Sequence, residues 1–345
     1  MIRFLRRLSP TTQQENCGFG WDCTVVDTDT IAISAPFAND SNGIVYFFDK
    51  KGNLIKTKES DEVWGNFGYS IAANENLIAI SSPKKNSVYL YDKNLNLINK
   101  IVLNKEIDGF GIFLHMDKDY IYIGNAHYDK FEACVYVYSI QGNYITKIRQ
   151  NIKESNSMFG SAIDSSNDFL LIADRNANSL SGKVFVYNKD FELLHVLENT
   201  KNSRSRFGTS VAITDKIVAI GAPAAAENTP NQDNNGAVFL YDINFKLQKV
   251  INAVHTSKIF GFKLKIFENN LLISAIGSEN FTGEAVIYNL ETNSYIVVRP
   301  TDPTENSNFG RSIELDKDFY YVGANYINSA TTATNGATYI YRNIW

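Results

Sequence analysis

The chain is 345 residues long, 44% apolar and 13% aromatic, with a formal net charge of −4. That composition excludes a disordered linker, and the weak charge, with no run of five like-charged residues, excludes a nucleic-acid-binding stripe or an acidic tail. Apolar runs such as Leu77 to Ile80 and Ile217 to Ile220 are strand-length, far below the roughly 20 residues of a membrane-spanning helix.

The chain opens on Phe4-Leu5-Arg6-Arg7-Leu8, with three arginines and no acid before residue 15. This segment reads either as a β-strand or as an organellar transit peptide. At Phe19-Gly20 a longer pattern begins. A short alternating stretch runs into the polar turn Asp27-Thr28-Asp29-Thr30, an apolar run ends at Ser34-Ala35-Pro36, and a polar loop leads to a strand from Gly43 to Phe48. The turn Asp49-Lys50-Lys51-Gly52-Asn53 then joins that strand to a fourth. The same order returns at Phe67-Gly68, Phe110-Gly111, Phe159-Gly160, Phe207-Gly208, Phe260-Gly261 and Phe309-Gly310, at steps of 48, 43, 49, 48, 53 and 49 residues.

Two further columns keep this period. Small residues end the apolar run at Ser81-Ser82-Pro83, Gly221-Ala222-Pro223 and Gly323-Ala324, with looser versions at Gly124-Asn125, Ala173-Asp174 and Ser274-Ala275. An aromatic closes the third strand of every unit: Phe48, Tyr91, Tyr138, Tyr187, Tyr241, Tyr288 and Tyr341. In the fifth unit the four strands are expected at Thr209 to Ile213, Ile217 to Gly221, Ala237 to Tyr241 and Lys246 to Ile251.

Four-stranded units of about 40 to 50 residues are the blade size of β-propellers. The expected fold is therefore all-β: a seven-bladed propeller of four-stranded antiparallel blades, occupying 1–345 as one domain, with 1–18 serving as closing strand and entry loop. Small side chains on the first strand and aromatics on the third suit blades that converge on an axis. The last unit reaches Trp345 just after its third strand. Phe4 to Leu8 lies 15 residues before Phe19, as the outer strand Tyr144 to Ile148 lies 15 before Phe159, so the N-terminal segment is expected to complete the last blade and cover its open edge.

These columns resemble the FG-GAP repeat, the unit of the integrin α-subunit propeller and of many bacterial surface proteins. The fifth unit carries the likeness furthest, in Phe207-Gly208-Thr209-Ser210-Val211-Ala212, Val218-Ala219-Ile220-Gly221-Ala222-Pro223 and Gly236-Ala237-Val238-Phe239-Leu240-Tyr241. The resemblance spans nearly the whole chain and implies a recognition propeller, commonly extracellular, with no shared catalytic activity. Calcium loops of the integrin kind need about nine residues of spaced oxygen ligands. Here the corresponding connections are turns such as Asp27 to Thr30, Asp117-Lys118-Asp119 and Asp316-Lys317-Asp318, so no metal site and no cofactor is expected. Residues 1 to 8 lack the apolar core of a secretory signal, which leaves a cytoplasmic location by default against the extracellular one that the resemblance favours.

Recognition residues concentrate on loops held by a rigid scaffold. The connections between strands two and three and between blades are long and polar, at 58–66, 125–133, 222–236, 299–308 and 324–336, whereas those on the opposite face are tight turns. The expected binding residues on the long-loop face are Trp64, His127, Tyr128, Arg175, Arg206, Phe281 and Tyr326. Trp64 has an alternative role as a cap over the core between blades.

His115, His127, His195 and His255 are scattered over three units without metal-ligand spacing, so no catalytic residue is expected. Cys17, Cys23 and Cys134 are read as free thiols, with a Cys17–Cys23 bridge as the alternative. Near the axis, Asp22, His115, Asp164, Lys263, Lys265 and Glu314 replace the Ser, Ala or Thr of other blades, either as solvated or mutually paired charges or as the lining of a small-molecule site. The expectation is a monomeric, non-catalytic propeller that binds a protein partner. A glycan-binding propeller is the alternative, followed by an enzyme with its site at the channel mouth.

Overall fold

The computed structural model describes residues 2–11, 16–104, 109–125, 133–150, 156–199, 204–225, 235–254, 257–326 and 335–343. Seven four-stranded antiparallel sheets follow one another along the chain. In the fifth, the strands are Ser210–Ile213, Ile217–Ala222, Ala237–Asp242 and Leu247–Asn252, within a residue or so of the expected bounds. The seven-bladed propeller is thus the fold, and all its sheets are of the expected size.

The second and third strands of each blade are covered on both faces by neighbouring blades, so they read as continuous apolar runs. Ile31, Ala32 and Ile33 are fully buried, as are Val218, Ala219 and Ile220. The core is accordingly a set of layers between blades. One such layer joins Leu171, Val184 and Val186 of the fourth blade to Phe207, Val218 and Phe239 of the fifth. Outer strands such as Leu54–Glu59 face solvent along most of their length.

The repeated Phe is fully buried in all seven units. In the first and fifth blades its nearest ring is two residues before the expected column, Phe19 meeting Tyr46 edge-on at 5.3 Å and Phe207 meeting Phe239 at 5.3 Å, while the column residues Phe48 and Tyr241 meet it at 6.1 and 6.5 Å. Edge-to-face contact places the positive ring edge against a negative face. The Phe amide also stitches blades together, Phe207 donating to the Ser181 carbonyl at 2.9 Å.

Ring closure uses the same device at the seam. Phe19 N–H donates to the Asn335 carbonyl at 3.1 Å, and Ser312 Oγ donates to the Gly20 carbonyl at 2.8 Å. Gly20 adopts φ +85°, and a Cβ there would lie 2.5 Å from the Ala337 carbonyl oxygen. Ile2–Leu8 forms the outer strand of the last blade, paired antiparallel with Ala337–Asn343 from Ile2 opposite Asn343 to Leu8 opposite Thr338. The strand reading of this segment therefore holds. Leu8 is 3% exposed, and Phe4 packs 5.7 Å from Tyr341.

The aspartates of the short turns cap backbone amides. Asp117 Oδ1 accepts from the Asp119 and Tyr120 amides, and Asp316 Oδ1 from those of Asp318 and Phe319. Cys17, Cys23 and Cys134 are free and buried. Among the described residues no helix is long and apolar enough to cross a membrane.

Candidate functional site: the mouth of the central channel

The inner strands bring one position per blade to the axis. The residue after each Phe-Gly is Trp21, Tyr69, Ile112, Ser161, Thr209, Phe262 or Arg311. All but Ser161 line one cavity of about 490 Å³ on the long-loop face, with Asp22, Met158, Arg175, Arg206 and Lys263. Below it the channel narrows to about 130 Å³ between Asp22, His115, Asp164, Lys263 and Lys265.

Trp21 organises the rim. Its indole N–H donates to the Tyr69 carbonyl at 3.1 Å, and its ring packs against Phe37 at 5.0 Å and Tyr69 at 5.1 Å. The Arg311 guanidinium lies 3.8 Å from the Trp21 ring centroid and 5.7 Å from that of Phe262. Arg175 is turned inward by a contact from Nε to Met158 Sδ at 3.4 Å, with its amide on Ser161 Oγ at 3.3 Å.

Charge in this cavity is one-sided. Arg175, Arg206, Lys263 and Arg311 face one carboxylate, Asp22. Asp22 is itself held by backbone amides, from Cys23 at 3.1 Å and Ile71 at 2.9 Å. Among the described residues no carboxylate forms an ion pair with any of the four cations, whereas deeper in the channel Lys265 pairs with Glu314 at 2.9 Å. Burial pulls the Lys263 ammonium down to about 8, with Arg311, Lys265 and Arg175 adding to the shift and Asp22 opposing it. Burial likewise pushes the Tyr69 phenol up, so it keeps its proton at neutral pH.

Of the expected binding residues, the structure brings Arg175 and Arg206 into this cavity. Tyr326 stands close enough to act electrostatically on Arg311 and Tyr69. Trp64 and Phe281 are exposed at 68% and 46% and do not line it, the Trp64 amide being held by Asn42 Oδ1 at 2.8 Å. His127 and Tyr128 lie outside the described residues. Sequence reasoning missed Trp21, Tyr69, Phe262 and Arg311, whose signal is the variable position directly after an otherwise constant Phe-Gly.

Residues 199–241 match the model of the FG-GAP repeat family. No curated protein matches the chain in sequence. Solved structures match along its whole length: a streptogramin B lyase at 10% identity and TM-score 0.70, covering 99% of both chains. The virginiamycin B lyase from Staphylococcus aureus matches at 10% identity and TM-score 0.69, covering 100% of both chains. A catalytically inactive variant of that lyase with Quinupristin matches at 10% identity and TM-score 0.71, again over 100% of both chains.

These neighbours correct the expectation of a non-catalytic protein-binding propeller. Lyases are built on this architecture without a second domain, so a lone propeller is no sign that chemistry is absent. A site at the axis of a propeller draws its side chains from several blades and carries no short motif spacing. The chain is a seven-bladed β-propeller whose residues 199–241 match the FG-GAP repeat.

Proposed function

We propose that the chain is an enzyme of the lyase type that acts on an anionic small molecule at the channel mouth. The observation that carries this reading is the convergence of Arg175, Arg206, Lys263 and Arg311 on a cavity holding the single carboxylate of Asp22. An unbalanced cluster of cations in a recess is a site for negative charge.

The side chains suit elimination next to a carboxylate. Lys263 in its neutral form takes the proton from the carbon beside the carboxylate, and its lowered basicity makes the free amine available as pH rises through about 8. The guanidinium groups hold the carboxylate and stabilise the charge that develops on it. The electron pair left by the proton forms the new double bond as the leaving group departs, and Tyr69, still protonated, supplies that group's proton. Trp21, Tyr69 and Phe262 give the recess apolar walls for the rest of the substrate. Catalytic neighbours of the same fold support the enzyme reading by analogy only.

Citrate and pyrophosphate are convenient probes of the cation cluster. Either should raise the thermal midpoint of the wild-type protein and not that of the Arg175→Gln/Arg206→Gln/Arg311→Gln variant, because a ligand stabilises only the state that binds it. Incubation of di- and tricarboxylates in D2O should wash deuterium into the carbon beside the carboxylate, with the exchange lost in Lys263→Met. Equal behaviour of wild type and variants in both assays would sink the reading.

A further inference from the structure

At the far end of the channel a second group of side chains converges. His115 Nε2 lies 2.8 Å from Ser165 Oγ, and Nδ1 lies 3.6 Å from Asp164 Oδ1. The imidazole stacks on Tyr122 with ring centroids 5.7 Å apart and planes 24° apart, which fixes its orientation. Asp164 is held in turn, Oδ1 accepting from the Ser165 amide at 3.0 Å and Oδ2 from the Ile213 amide at 2.9 Å.

The proton positions follow from these contacts. Burial holds His115 below the usual imidazole range, so it is neutral at pH 7. With a carboxylate facing Nδ1, the proton sits on Nδ1 and Nε2 accepts from the Ser165 hydroxyl. A rival acceptor, Asp117 Oδ2, lies 3.3 Å from Ser165 Oγ. That oxygen already accepts from Lys189 Nζ at 2.8 Å and Tyr122 Oη at 3.0 Å, so the serine proton goes to the histidine.

Ser165 opens onto a separate cavity of about 430 Å³ on the tight-turn face, shared with Asp117 and Lys189. A serine donating to a neutral imidazole whose other nitrogen faces a carboxylate is the arrangement of an activated nucleophile. The separation at Nδ1 is longer than a hydrogen bond, as is common before substrate binds, and it shortens when the imidazolium forms.

We propose that Ser165, His115 and Asp164 form a second catalytic site that hydrolyses small, uncharged carboxylic esters. Ser165 Oγ bonds to the ester carbon while the carbonyl pair moves onto oxygen, and the serine proton passes to His115 Nε2. The ester C–O bond then breaks, and the departing alcohol takes that proton. Water repeats the sequence on the acyl-serine, releasing the acid. Lys189 supplies positive charge beside the oxyanion. Lys118 and Lys189 are outnumbered in this cavity by Glu75, Asp117 and Asp215, so an anionic ester is disfavoured and an uncharged one is the substrate class. This site stands independently of the one at the channel mouth.

A fluorophosphonate and p-nitrophenyl acetate test the proposal on the intact chain. The expected result is one phosphonate adduct on the peptide bearing Ser165, a burst of nitrophenolate equal to the protein present, and neither in Ser165→Ala. Labelling in His115→Gln should slow at least tenfold, and Ser166→Ala, altered at the adjacent residue, should label at the wild-type rate. Thermal melts of each variant separate loss of reactivity from loss of fold. No adduct on the folded wild type, an adduct on another residue, or one that forms as fast in folded His115→Gln overturns it.

Discussion

Arg311 of the last blade lies with its guanidinium carbon 3.8 Å from the centroid of the Trp21 ring in the first. The two residues are near opposite ends of the chain and meet because the ring closes between their blades. The contact holds a cation at the channel mouth without neutralising it, since a ring face attracts charge but does not accept it as a carboxylate would.

Replacing Trp21 by Ala should therefore weaken binding of citrate or pyrophosphate without unfolding the propeller. A desolvated cation–π contact is worth about 2 kcal/mol, or roughly 30-fold in affinity. Arg311→Met should cost at least as much, and calorimetric titration of either variant measures it. An unchanged affinity would remove Arg311 from the site.

With Lys263 as the proposed base, the rate of the proposed reaction rises with pH. A group that must lose its proton to act gives a rate that rises with pH and levels off above its own transition, here about 8 for Lys263. Arg311→Gln removes a like charge and should move that transition up. Asp22→Asn removes the opposing carboxylate and should move it down. Profiles of kcat/KM, or of deuterium exchange into a carboxylate substrate, would read both shifts.

Closure of the ring should be a large part of its stability. Leu8, the last residue of the strand that completes the last blade, is 3% exposed, and Leu8→Ala should destabilise the chain by about 2–4 kcal/mol through the cavity it leaves. Deletion of residues 2 to 8 should cost more, because it also strips the hydrogen-bonded partner from Ala337–Asn343. Denaturant midpoints measure both, and an unchanged midpoint in the deletion would refute a structural role for this strand.

Gly20→Ala probes the same seam from the other side. The backbone there is left-handed, and the added Cβ would press on the Ala337 carbonyl. The expected cost is about 2–3 kcal/mol of strain. It should appear as faster unfolding and lower stability, with citrate still able to raise the melting temperature.

The sequence by itself determined the number of blades, the order of strands within each and the donation of the N-terminal strand to the last blade. Those features are local and repeated: a Phe-Gly, a small-residue turn and a strand-three aromatic recur in every unit, so each blade corroborates the others. The column aromatics do meet the repeated Phe edge-on, as Phe48 meets Phe19 at 6.1 Å, but the nearer ring, Tyr46 at 5.3 Å, lies two residues earlier on the same buried strand, and only packing decides that order. Only the tertiary structure decided which side chains meet at the axis. Trp21, Tyr69, Arg175, Lys263 and Arg311 each look like drift from a consensus when read in their own blade, and His115 and Ser165 belong to different units 50 residues apart. Convergence on an axis carries no periodic signal, since each blade supplies one or two side chains and the meaning lies in their sum.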